Sequence, residues 1–182
     1  MKELQRSLVI IKPDASERGL AGEIISRFEK VGLKIVASKV ANATDEQIDR
    51  HYEINNDAVC TRIGCKSVGV DTPEEAKEKG VELSQLIEMG REVLNWNRDY
   101  MKRAPLFILV FEGYGAIKRI RGLVGFTNPP KAAPGTIRSD FGVDSIPLAN
   151  AQKRGAENMV HASGEPEEAE NEINIWFPEL SK

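Results

Sequence analysis

Cysteine is scarce in this chain, with only Cys60 and Cys65, five residues apart. A disulfide or half a metal site is open at that spacing, but CxxC is absent and no second ligand pair follows. We read them as two ordinary thiols and expect a reducing cytoplasm. Long apolar runs are missing too. Met1 to Arg6 is polar, and Leu8-Val9-Ile10-Ile11 stops at Lys12-Pro13, too short for a secretory leader. Nothing approaches the ~20 apolar residues of a membrane span. Basic residues do not predominate: 25 Lys and Arg face 28 Asp and Glu, a formal charge of -3. That balance argues against a broad nucleic-acid-gripping face but leaves room for a local pocket for one small anion. Walker A, GxGxxG and the HRD and DFG motifs are also absent, so the usual ways of holding ATP do not apply.

What remains is an ordinary globular composition, 41% hydrophobic and 29% charged over 182 residues. That length builds a core without disulfide or metal staples, and fits one domain or one domain with an insertion. Ser7 to Lys12 reads as a buried strand ended by Pro13. Leu20, Ile24, Phe28 and Val31 recur at helical spacing, and Gly32 closes that helix. Leu33 to Val40 alternates Ile35, Ala37 and Val40 against polar neighbours, as a strand does. Asp45 to Tyr52 is expected to be a short helix capped by Thr44. Thr72-Pro73-Glu74-Glu75 carries a capping-box start, and the apolar positions from Leu83 to Met101 keep a 3.6-residue rhythm. The stretch therefore predicts a long helical hairpin or helix pair, loosely closed by Gly69 and Gly80. Pro105 to Glu112 reads as a central strand, Ala116 to Val124 as a helix, and Thr127 to Arg138 as a Pro/Gly-rich loop. Asn158 to Ala162 is a short strand and Glu165 to Phe177 the last helix. Strands interleaved with helices predict an α+β sandwich of the ferredoxin-like type, with no internal repeat.

Histidine offers two candidates. His51 sits among Asp49, Arg50 and Glu53, which reads as a solvated face. His161 follows Met159-Val160 at a strand mouth just before a helix, with Ser163 or Gly164 as the expected cap. Glu165, Glu167 and Glu168 crowd that helix's first turns, where most of them complement its dipole. Glu168 and Glu172 share one face, and a carboxylate there could fold back on the imidazole and fix its tautomer. Lys12, Arg18, Arg121 and Arg138 lie at loops or element ends, and arginine's fork suits phosphate oxygens. Thr127 and Thr136 offer hydroxyls. Spacing alone does not assemble these groups into one site.

Four segments, in order, resemble the nucleoside diphosphate kinases: KPDASERGLAGEIISRFEKVGLKIV from Lys12, HY at His51-Tyr52, TNPPKAAPGTIRSDF from Thr127, and NMVHASGEPEEAENEINIWF from Asn158. Together they cover about two-thirds of the chain. The resemblance implies a ferredoxin-like βαββαβ fold, an antiparallel sheet covered by helices, here with an inserted helical hairpin. It implies a single domain over 1–182 with the insertion at about 57–99. It further implies transfer of the γ-phosphate of a nucleoside triphosphate to a nucleoside diphosphate by a ping-pong route, balancing nucleotide pools by making GTP, UTP and CTP. Carried over by motif, His161 is the nucleophile, phosphorylated on its pros nitrogen, and Glu172 orients it. Lys12 and Tyr52 approach the transferring phosphate. Arg121 and Thr127 hold the β-phosphate side, Arg138 adds a phosphate contact, and Asn158 bonds the ribose. Mg²⁺ is held through the nucleotide's phosphates, without a protein metal site. A homo-oligomer, hexamer, tetramer or dimer, is implied, with no membrane and no specific nucleic acid as partner.

The pattern departs from the family in places. The segment carrying a base-stacking Phe after HY is replaced by the helical insertion, which puts Val93 at its position, close to Leu94 and Trp96. Phe141 to His161 is lengthened through 142–157, Gly164 stands for a common Asp, and the chain ends soon after WFPEL. A fold-retaining scaffold would have lost the nucleophile or clamp, yet His161, Lys12, Arg121, Thr127, Arg138, Asn158 and Glu172 are all present. A histidine phosphotransfer domain would be a helical bundle, against the strand-rich pattern.

Overall fold

The structure is a computed structural model that describes residues 3–180. The apolar segments that read as strands form a four-stranded sheet in the order β2-β3-β1-β4. These are β1 (Leu4–Ile11), β2 (Lys34–Ala41), β3 (Leu106–Tyr114) and β4 (Val160–Ala162). Every neighbouring pair is antiparallel. This is the expected ferredoxin-like sandwich, with the two most apolar strands at its centre.

Strand alternation sorts the sheet into two faces. Ser7 faces Phe111, Val9 faces Leu109 and Ile11 faces Phe107. Val9, Ile11, Leu109 and Phe111 pack with Ile24 and Phe28 of α2 (Ala21–Lys30) and with Ile120 and Val124 of α7 (Ala116–Val124). Val160 and Ala162 join the same core. β4 pairs Ile10 with His161, so the histidine emerges on the opposite face. There α10 (Pro166–Trp176) packs against β1. The alternation of one short strand thus decides which side of the sheet carries the chemistry.

Several elements differ from the expectation. Pro13–Glu17 forms α1, a single turn with Pro at its start. β2 carries a bulge between Ile35 and Ala37, and Ile35, Val36 and Val40 are exposed along this edge strand rather than facing in. α3 (Asp45–Tyr52) has the predicted Thr44 cap, a full capping box with Gln47. The expected hairpin is three helices, α4 (Asp57–Val68), α5 (Pro73–Glu78) and α6 (Leu83–Lys102). Gly69, at φ 72°, ends α4 in the left-handed conformation that glycine adopts without steric cost. The predicted loop ends in α8 (Ile137–Phe141), and the extended segment holds α9 (Ile146–Ala151).

The chain divides into two compact units, one of Met1–Ala43, Met101–Ser145 and Glu157–Lys182, the other of Thr44–Tyr100 and Ile146–Ala156. The second unit is held by two small clusters, one around Cys65, Val70, Ala76 and Leu86, the other around Ile54, Cys60 and Leu94. Cys60 and Cys65 are buried free thiols. Between the clusters α4 and α6 touch backbone to backbone. A Cβ on Gly64 would lie 2.1 Å from the Leu86 carbonyl oxygen, and one on Gly90 would lie 1.9 Å from that of Cys60. Neither carbonyl can yield without moving its helix. Gly90→Ala is therefore expected to cost about 1–3 kcal/mol by overpacking. Gly22→Ala, in a helix with nothing within 4 Å, should leave stability unchanged or raise it by up to about 1 kcal/mol. Denaturant midpoints compare the two, and equal midpoints would show that the α4–α6 contact is not tight.

Candidate active site

The site is built where β1 and β4 end side by side. Lys12, directly after β1, donates its backbone N–H to the Met159 carbonyl at 2.9 Å. Asp14 accepts the Met159 N–H at 3.0 Å. Both anchors hold Met159 at φ 68°, a conformation uncommon for a side chain of that size. This tight link lies two residues before His161 and sets where β4 begins.

Asn158 bridges two clamp segments. Its Oδ1 accepts from Lys12 Nζ at 2.8 Å, and its Nδ2 donates to the Thr127 carbonyl at 3.2 Å. Arg138, on α8, is buried. Its guanidinium donates to the carbonyls of Asn158 at 3.1 Å, Gly125 at 3.0 Å and Val160 at 2.6 Å. Arg121 reaches the Ala162 carbonyl at 3.4 Å from the last turn of α7. Arg138 and Arg121 both bear electrostatically on His161. Hydrogen bonds thus link Lys12, Thr127, Asn158 and Arg138, while Lys12, Arg121 and Arg138 bear on His161.

Arg18 does not join them as a phosphate group. It donates to the Phe141 carbonyl at 2.6 Å and to Met159 Sδ at 3.6 Å, which makes it a tie between loops. Thr136 is likewise turned inward on its own loop, donating to the Ala133 carbonyl at 2.7 Å.

His161 Nε2 lies 2.6 Å from Glu172 Oε1. The other carboxylate oxygen accepts from Ser163 Oγ at 2.6 Å, and Ser163 Oγ in turn accepts the Leu8 N–H of β1 at 3.0 Å. Ser163 is therefore not the helix cap that the sequence suggested. α10 begins at Pro166 with Glu165 at the cap position and no side-chain cap bond, and Ser163 instead fixes Glu172 against the sheet. Spacing could not show this, because a serine before a helix is an equally good cap on paper. Asp14 was missed for a related reason: its partner is 145 residues away.

Burial pushes the His161 imidazole below its ordinary value, the Lys12, Arg138 and Arg121 charges push the same way, and Glu168 acts against them. The ring is neutral at pH 7. A carboxylate beside Nε2 favours the tautomer with its proton there, which leaves the Nδ1 lone pair open to attack an electrophile. Burial, then the charge of Arg138, also pushes the Lys12 ammonium down to about 7, against the pull of Asp14. A neutral nucleophile with an oriented ring, facing three basic side chains, suits transfer of an anionic group.

The remaining expected residues lie in the second unit. Tyr52 ends α3, stacks edge-on with His51 at 4.9 Å and packs on the Ile54–Leu94 cluster. His51 is half-buried there rather than on a solvated face. Val93 is half-buried on α6.

The nucleoside diphosphate kinase family model matches residues 5–60 and 86–181, leaving 61–85, within the helical insertion, outside the match. The chain is 41% identical over 182 residues to a nucleoside diphosphate kinase of Pyrobaculum aerophilum, covering 97% of this chain and 96% of that protein. It is 38% identical over 177 residues to one of Pyrococcus furiosus, covering 97% and 85%. Among solved structures, the NDP kinase from Pyrobaculum aerophilum superposes with a TM-score of 0.85 at 39% identity, over 98% of each chain. A Borrelia burgdorferi nucleoside-diphosphate kinase, a transition-state mimic with bound vanadate and ADP, superposes with a TM-score of 0.75 at 33% identity, over 96% and 87%. On sequence and on fold together, this chain belongs to the nucleoside diphosphate kinase family.

Proposed function

We propose that His161 carries the phosphoryl group in the reaction of this family, the transfer of the γ-phosphate of a nucleoside triphosphate to a nucleoside diphosphate through a phosphohistidine. The observation that carries the assignment is the fixed ring: Nε2 against Glu172 leaves only Nδ1 to attack. In the first half-reaction Nδ1 forms a bond to the γ-phosphorus while the bond to the β–γ bridging oxygen breaks, and the diphosphate leaves. The ring gains positive charge as the bond forms, and Glu172 offsets it. In the second half-reaction a terminal oxygen of the acceptor diphosphate attacks phosphorus and the N–P bond breaks, restoring the neutral ring. Lys12, Arg121 and Arg138 oppose the negative charge of the phosphates throughout, which is most of what a protein contributes to such a transfer. Thr127 holds the β-phosphate side and Asn158 the ribose, the latter already oriented by Lys12 and Thr127. Tyr52 approaches the transferring phosphate, and Val93 lies on the base side.

The residues present suit Mg²⁺ held through the nucleotide rather than by the protein. Glu172 is engaged by His161 and Ser163, Asp14 by Met159, and the other converging groups carry no negative charge. When bound, Mg²⁺ neutralises phosphate charge and orients the chain of phosphates. The buried free thiols support a cytoplasmic setting. Among the described residues no helix is long and apolar enough to cross a membrane. Ile35, Val36 and Val40, exposed along an edge strand, support a homo-oligomer. We read the chain as one kinase domain with a helical insertion at about 57–99, a reading supported by the unmatched stretch 61–85 that lies inside those bounds.

The deciding experiment is labelling. Incubation with γ-labelled ATP and Mg²⁺ should give an acid-labile phosphoenzyme whose label maps to His161 and passes to GDP as GTP. Label that is acid-stable, or that maps to another residue, would overturn the assignment.

Lys12 gives a pH test. Its folded pKa lies below the unfolded value, so the fold disfavours the charged form. That cost is fully present below about 7 and is relieved as pH rises from about 7 towards the unfolded value of 10.5. A bound polyphosphate restores the charge, so binding takes up a proton. Nucleoside diphosphate affinity should fall by up to about tenfold per pH unit above neutrality, until the pKa of the complex is passed. Calorimetry in buffers of different ionisation heat measures the proton, and Lys12→Met should abolish the uptake. Equal proton uptake in both proteins would remove Lys12 from the phosphate site.

A further inference from the structure

The turn joining β4 to α10 spans Ser163 to Glu165, and what fixes it matters because the strand before it carries His161 and the helix after it carries Glu172. The usual devices are missing. Glu165 occupies the cap position without a side-chain cap bond, and Pro166 follows as the first helical residue. One side chain reaches back across the turn: Glu168 Oε2 accepts the Gly164 N–H at 2.6 Å. This is the returning half of a capping box, displaced one residue outwards, so that the bond closes on the turn and not on the cap. A side chain at residue 164 would push this carboxylate away from the N–H. A Cβ on Gly164 would stand 2.6 Å from the same Oε2 atom. Gly164 and Glu168 are a matched pair.

We propose that Glu168 is a positioning residue for phosphoryl transfer: by holding the Gly164 N–H it fixes the β4–α10 turn, and with it the register of Glu172 and Ser163 against His161. The turn carries Ser163, whose hydroxyl bonds both Glu172 and β1. Releasing Gly164 loosens the segment that keeps Oε1 of Glu172 at 2.6 Å from the ring. The carboxylate also bears on His161 itself, opposing the Lys12, Arg138 and Arg121 charges. Glu167, one residue earlier on the same turn, is exposed and offers the same charge to the helix dipole. It therefore separates a general electrostatic effect from the specific bond.

The proposal rests on His161 as the nucleophile, and the test keeps the two apart. Turnover and the rapid-mixing rate of phosphoenzyme formation are measured for Glu168→Ala, Glu168→Gln, Gly164→Ala, the Gly164→Ala/Glu168→Ala pair, Glu167→Ala and His161→Asn. Glu168→Ala is expected to lower kcat about tenfold with KM for both nucleotides unchanged. Glu168→Gln, whose amide oxygen still accepts from Gly164, should recover most of the rate. Gly164→Ala should match Glu168→Ala, and the double variant should lose no more than either single one. Glu167→Ala should behave as the unsubstituted protein. A Glu168→Ala rate within twofold of the unsubstituted protein, no rescue by glutamine, an equal loss in Glu167→Ala, or additive losses in the pair would each overturn the positioning role. Each leaves His161 untouched as nucleophile. Full activity in His161→Asn would instead overturn both.

Discussion

Replacing His161 with asparagine is expected to lower turnover by more than about 10⁴-fold, with nucleotide affinity changed by less than about threefold. The loss is large because no other side chain can take over the covalent step. Lys12 Nζ is engaged by Asn158, the arginines have no nucleophilic lone pair, and Glu172 is turned to the ring and to Ser163. Affinity survives because the phosphate-facing groups are anchored independently of the imidazole: Lys12 by Asn158, Arg138 by three carbonyls. An asparagine amide can still donate to Glu172, so the buried carboxylate keeps a partner and the fold is preserved. Steady-state turnover and equilibrium binding measure the two halves. Residual turnover within about 100-fold of the unsubstituted protein would mean that phosphate moves directly between nucleotides, without a covalent enzyme.

Arg138 carries the second large effect, and it acts on stability as much as on rate. Arg138→Met is expected to destabilise the protein by about 3–5 kcal/mol, because it removes one buried cation and strands the carbonyls of Asn158, Gly125 and Val160. Arg138→Lys should recover little, since an ammonium on a flexible stem cannot match a fork aimed at three acceptors. Arg121→Met supplies the contrast. That residue is exposed, with one 3.4 Å contact to Ala162, so its loss should reduce activity while moving stability by less than about 0.5 kcal/mol. Denaturant unfolding with parallel assays separates them, and equal stability losses would mean that the three carbonyl contacts contribute nothing.

The sequence made some of this readable and hid the rest for identifiable reasons. β1 and β3 were legible because burial on both faces demands an unbroken apolar run, and α2 and α7 because burial on one face imposes a helical period. The five-residue α1 and the six-residue α9, with Pro147 inside it, are too short to show one. The insertion reads as a hairpin by rhythm alone, and becomes three helices because two glycine-marked breaks interrupt it at Gly69 and Gly80. His161, Lys12 and Arg138 were found as residue types at promising addresses. What joins them was not legible, since Arg138 binds carbonyls 13, 20 and 22 residues away and Ser163 binds β1 at a separation of 155. Arg18 shows the converse: the right residue type at a loop end, spent on tying two loops together.

The contact between α4 and α6 has a consequence for how the insertion can change over time. Each glycine faces the carbonyl four residues before the other, Gly64 against Leu86 and Gly90 against Cys60. A side chain gained at either position forces the helices apart and empties the other contact of its purpose. The two positions should therefore drift together. Relatives that keep the helices at this separation should carry glycine at both, and relatives that have lost one should be free to vary the other. A pair of glycines is in that sense a heritable mark of the insertion's geometry, and a relative with a bulky residue at only one of them would break the rule.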